Sequence, residues 1–225
     1  MTFAPDLIPI GWLWLFNYSA IIALAVGLFY FPLNAILAIQ ERQHLLWGSA
    51  VALAVLWSIG ASLKGDGLRI HMLGITSVVM LVGLGPTMIT GALLMLLYSA
   101  VGLSAWSMLA VNFCLLIVIP ALITHGWLLL VARVPINNLF LYMLGGGFVG
   151  GIVVRLGLAL LLSLMGAAAG TESLLAASAE KYLPWLLLLA FPEGFINGML
   201  VSAMAVFFPH WLRSLDEYRY IDRRE

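Results

Sequence analysis

Seven residues whose side chains could do chemistry are singled out within or at the edge of long apolar runs of this 225-residue chain. His71, His125, Arg155 and Glu193 are ionisable, and Asn17, Asn112 and Asn197 are their uncharged companions. Ionisable groups inside a bilayer-spanning segment are costly and tend to mark function. A neutral imidazole is the commonest transition-metal ligand, so His71 reads as a metal ligand or as a hydrogen-bonded structural residue. His125 and Arg133 lie toward the far end of their run, where interfacial anchoring is the simpler reading. Glu193 follows Pro192 and precedes Asn197 by four positions, so on a helix the two share one face. Arg155 is one candidate partner for Glu193, although the sequence alone does not bring them together. The pair fixes helix packing or serves function, and both readings stand. Glu193 and Asn197 are expected to be buried and hydrogen-bonded. They are expected to matter for folding more than for ligand capture, since Glu193 is placed away from the outer surface.

Other chemistries find no support. HExxH, CxxC, GxSxG and phosphate-binding glycine loops do not occur, so no enzyme activity is expected. Cys114 is the single cysteine and reads as a small core hydrophobe. The formal net charge is zero, which gives no sign of a nucleic-acid partner.

Positioning these groups falls to membrane helices. Hydrophobic residues make up 64% of the chain and charged residues 9%. No charged residue occurs from Ile8 to Phe31 or from His71 to Ala132. A spanning helix needs about 20 apolar residues, and the second run is too long for one. The fold class is therefore an all-α membrane protein, a bundle of about seven transmembrane helices. It forms a single domain over 1–225, with a short tail over about 209–225. The expected spans are about 8–31, 44–63, 70–85, 87–103, 105–131, 138–165 and 182–208. Polar residues 40–43 form a turn, Gly85-Pro86 a break, and Pro120 a kink. A small-residue loop carries Thr171 and Glu172. The N-terminus lacks a basic region before its first apolar run, so that run is expected to remain as a span.

Arg42, Arg133, Arg213, Arg219, Arg223 and Arg224 fall on one side of this topology, and Lys64, Arg69 and Lys181 on the other. The bias places the N-terminus outside and the C-terminus in the cytoplasm. Gly146 with Gly150, and Gly147 with Gly151, form small-xxx-small pairs that let helix backbones approach closely. They suit packing inside the bundle or a sliding contact with a partner subunit.

Four segments carry a family resemblance. They are Gly67-Leu68-Arg69-Ile70-His71-Met72-Leu73-Gly74, Val134 to Tyr142 with Gly147-Phe148, Phe191 to Met199, and Pro209-His210-Trp211 with Leu215 to Tyr220. In this order they resemble the CbiM/NikM family, the substrate-binding membrane subunits of cobalt and nickel energy-coupling-factor transporters. The resemblance implies uptake of Co²⁺ or Ni²⁺ as cargo across the cytoplasmic membrane, with no resident cofactor. It implies a transmembrane coupling subunit and cytoplasmic ATPase subunits as partners, with the lipid bilayer around them.

The family captures its metal in a planar four-nitrogen site. The site uses the N-terminal amine, the backbone nitrogen and imidazole of a second-position histidine, and a third-span histidine. Planar nitrogen ligation suits late divalent metals. Here the second residue is Thr2, which has no imidazole. The carried-over metal residues are His71 and the backbone of Thr2, with Asn112, Glu193 and Asn197 as a supporting polar network. Asp6 could add an oxygen ligand. The alternative is a membrane scaffold or interaction protein with the same fold and a degenerate metal site.

Overall fold

The computed structural model describes residues 2–3, 5, 8–30, 38–62, 68–135, 138–170, 173–216 and 220. Asp6, Thr171, Glu172 and the Lys64-to-Gly67 loop lie outside the described residues.

Eight helices occur among the described residues. They are α1 (Ile10–Tyr30), α2 (Gln40–Ser58), α3 (Ile75–Val82), α4 (Leu84–Ala100), α5 (Trp106–Arg133), α6 (Leu141–Ala169), α7 (Leu174–Leu188) and α8 (Ala190–Phe207). Ile10–Phe29, Trp106–Arg133, Leu141–Ala169 and Ala190–Phe207 are long and apolar enough to cross a membrane. The protein is a multi-pass helical membrane protein.

A small antiparallel sheet adds to the expected helical bundle. Its strands are β1 (Thr2–Phe3), β2 (Gly60–Ser62) and β3 (Leu68–His71), in the order β1-β3-β2. Thr2 pairs with Arg69, Phe3 with Leu68, and Gly60 with His71. Residues 60–62 and 70–71 therefore belong to strands, where the sequence suggested helix ends. Ladder pairing satisfies their backbone groups, which a helix ending in the bundle could not do without other partners. Gly60 suits this hairpin, because a Cβ there would stand 2.8 Å from Arg69 Nε.

Other boundaries also move, each for a local reason. Residues 40–43 open α2 and do not form a turn. The break expected at Gly85-Pro86 falls instead at Gly83, whose φ of +89° only glycine adopts easily, and Pro86 sits in the first turn of α4. The Pro120 kink takes the form of a widened π turn over Cys114–Val118, where Ile119 N–H reaches back to the Cys114 carbonyl. Proline cannot donate and crowds the carbonyl four residues earlier, so the preceding turn opens. The expected 182–208 span is broken at Leu189, between α7 and α8. The crowded carbonyl there is that of Leu188, four residues before Pro192.

The core is built around α5, which contributes Phe113, Leu116, Ile117 and Ala121, packed with Trp57, Leu73, Met95 and Leu158. Phe3 reaches this core from β1. At the other end of α3 the tail docks. Arg213 and Ser214 donate their N–H groups to the carbonyls of Leu81 and Met80, both at 3.1 Å. The tail thereby satisfies carbonyls that the end of α3 leaves open.

Candidate metal centre

The site grows from the close passage of α6 and α8. A Cβ on Gly151 would stand 3.0 Å from Gly194 Cα, and one on Gly198 would stand 2.8 Å from Phe148 Cβ. Gly147 likewise faces Gly198 and Val201. Gly146 and Gly150 face Met80, Leu128, Trp127 and Thr76 instead. Both small-residue pairs are thus spent on packing within this chain.

That approach brings Arg155 of α6 against Glu193 of α8. Arg155 Nη2 donates to Glu193 Oε2 at 2.6 Å, with both side chains sealed from solvent. The carboxylate does more than neutralise the guanidinium. Its Oε2 accepts the Leu73 N–H and its Oε1 the Gly74 N–H, each at 2.8 Å. Asn197 Nδ2 donates to Oε1 at 3.0 Å and to the Glu193 carbonyl at 2.7 Å. Its Oδ1 accepts the Ser77 N–H at 2.9 Å and the Ser77 hydroxyl at 2.6 Å. Gly74, at the head of α3, has no side chain with which to cap that helix. Glu193 and Asn197 cap it from α8, and the carboxylate complements the positive end of the helix dipole.

The same cluster reaches His71. Arg155 Nη2 donates to the His71 carbonyl at 3.0 Å. The sequence reading placed Glu193 away from the outer surface, yet within the polar network supporting His71. The loop after β3 meets Glu193, which holds the residues two and three positions beyond the histidine.

The His71 ring is buried, with Nδ1 at 2.9 Å from the Met72 carbonyl. A carbonyl can only accept, so Nδ1 carries the proton and Nε2 the lone pair. Nε2 is buried and has no partner among the described residues. Burial holds the ring well below its ordinary pKa, and the charges of Arg155 and Arg69 act in the same direction. Trp57 lies against the ring, with centroids 5.2 Å apart, and its Nε1 donates to the Leu73 carbonyl at 2.9 Å. A neutral imidazole with a fixed tautomer and a free Nε2 has the form of a metal ligand.

Asn112 belongs to a neighbouring cluster. Its Oδ1 accepts the Phe3 N–H at 2.8 Å, and its Nδ2 donates to Ser104 Oγ at 3.0 Å. It thereby ties down the N-terminal strand, which pairs with the strand ending in His71. The backbone of Thr2 is thus part of the same sheet as His71. His125 and Asn17 are exposed on α5 and α1. Among the described residues no three His, Cys, Asp or Glu side chains come together as a metal cluster. Trp57, Ser77 and Ser104 are site residues the sequence reading missed, since a tryptophan or a serine in an apolar run carries little signal.

The chain is thus a bundle of apolar helices with a small sheet at the head of its shortest helix. The sequence matches the family model "CbiM: Cobalt uptake substrate-specific transmembrane region" over residues 3–211, and the chain belongs to this family. The fold is similar to that of a solved transition metal transporter, 16% identical, with a TM-score of 0.71 over 92% of this chain and 93% of that one. A truncated transition metal transporter is similar too, at 14% identity and a TM-score of 0.70, over 93% and 99% of the two chains. No curated protein sequence matches the chain.

Proposed function

We propose that this membrane component of metal uptake binds a divalent transition metal of the cobalt or nickel class, with His71 Nε2 as its first ligand. The supporting observation is that nitrogen: buried, unprotonated, unpartnered among the described residues, and in one sheet with the N-terminal strand. The backbone of Thr2 supplies the second contribution, in the place where the family sets a histidine. Metal enters from the outer face of the cytoplasmic membrane, where the N-terminus lies. A transmembrane coupling subunit and cytoplasmic ATPase subunits drive release inward, on the side of the C-terminal tail. Co-purification of those subunits with the tagged protein, and ATP-dependent uptake of radioactive cobalt by the assembly, test this reading. Absence of both contradicts it.

A second reading has its own support. Thr2 stands where the family carries a histidine, so one imidazole of the family's site is missing, as in a scaffold whose site has decayed. Such a protein would purify without metal and bind none on titration.

A further inference from the structure

We propose that Arg155 and Glu193 are positioning residues for metal capture, holding the His71–Gly74 loop so that the imidazole is aimed before metal arrives. The proposal rests on the reading of His71 as a ligand.

Four hydrogen bonds from side chains on three helices grip this loop. Arg155 on α6 holds the His71 carbonyl, Trp57 on α2 the Leu73 carbonyl, and Glu193 on α8 the N–H groups of Leu73 and Gly74. The Met72 carbonyl takes the remaining role, fixing Nδ1 of the ring. The carbonyls of residues 71 to 73 are thus all engaged, and Nε2 of the ring has no partner among the described residues. Gly74 closes the loop at a φ of +69°, where a Cβ would stand 2.8 Å from Leu56 Cδ2. Charge points the same way. A guanidinium on the carbonyl of a ligand residue repels an incoming cation, and the carboxylate at 2.6 Å cancels that field. A buried ion pair gives little net stability over an apolar pair of similar size. Groups that orient a metal ligand commonly change metal affinity by about 10–100-fold.

The test is calorimetric titration with Co²⁺ of the purified, detergent-solubilised protein and of the variants Glu193→Gln, Glu193→Asp and His71→Ala. The absorption spectrum of the bound cobalt is recorded in parallel. Glu193→Gln should weaken binding by the folded protein about tenfold or more, and shift the cobalt spectrum through altered ligand geometry. Glu193→Asp keeps the charge but shortens the reach to Leu73 and Gly74, so it should also weaken binding. If both variants fold and bind with unaltered affinity and spectrum while His71→Ala does not bind, the positioning role is overturned. If His71→Ala binds like the unaltered protein, the ligand reading fails instead. Should neither Glu193 variant fold, hydrogen exchange on the unaltered protein decides. The Leu73 and Gly74 amides must be protected before metal is added, and free exchange in the metal-free protein overturns the proposal.

Discussion

Gly151 and Gly194 pass so closely that a Cβ on the first would meet the Cα of the second at 3.0 Å. The ion pair at the candidate site depends on that approach, which brings Arg155 and Glu193 within 2.6 Å of each other. A Cβ on Gly194 would meet the Phe148 carbonyl at 2.6 Å, and a backbone oxygen cannot move aside as a side chain can. Gly194→Ala should destabilise the protein by about 1–3 kcal/mol, the usual range for overpacking. Gly126→Ala, at a helical position with open space around it, should leave stability unchanged or raise it. Thermal unfolding in detergent checks both. Equal melting temperatures for the two variants would contradict the packing argument.

Asn197 caps α3 from a different helix. Replacing it with Ala removes the acceptor for the Ser77 N–H and a donor to Glu193. Loss of a helix cap costs about 0.5–2 kcal/mol. Asn197→Ala should therefore lower the melting temperature and speed amide exchange at Ser77. Unchanged exchange there would show that the cap carries no weight.

Asn112 ties the N-terminal strand to α5 through the Phe3 N–H. Asn112→Leu should free that strand. Phe3 should then exchange faster, and metal affinity should fall, although Asn112 itself is no ligand. Full protection of Phe3 in the variant would mean that the ladder to β3 suffices alone.

Thr2 stands where the family carries a histidine. Thr2→His should strengthen Ni²⁺ binding if the initiator methionine is retained, because an added imidazole anchors the metal while backbone nitrogens lose their protons. Metal sites depend on ligand count and geometry. Adding His71→Ala should cancel most of the gain. A gain that survives His71→Ala would place the new ligand in a different site.

The topology yields its own check. Single cysteines near Glu172 and near Glu225, in a protein with Cys114 replaced, should label from opposite sides of the membrane. Labelling from one side contradicts an outer N-terminus and an inner C-terminus.

Much of this was legible in the sequence, but unevenly. Uncharged runs are long-range signals, so the helical membrane class could be read from composition. The Arg155–Glu193 pair was legible as a possibility, since few ionisable residues share the apolar runs. The strands were not, because ladders of two and three residue pairs leave no periodicity, and residues 60–62 read as the end of a helix. The break at Leu189 was displaced from the residue that causes it, as Pro192 acts on a carbonyl four positions earlier. The trans-cap on α3 was also hidden. Its signal is a missing capping side chain at Gly74, and the residues that replace it lie about 120 positions away, at Glu193 and Asn197.

The most direct measurement is a titration of the purified, metal-free protein with Ni²⁺ and Co²⁺, alongside His71→Ala. The account predicts binding of one ion by the unaltered protein, and its loss in His71→Ala with the fold intact. Equal binding by the two proteins, or none by either, would contradict it.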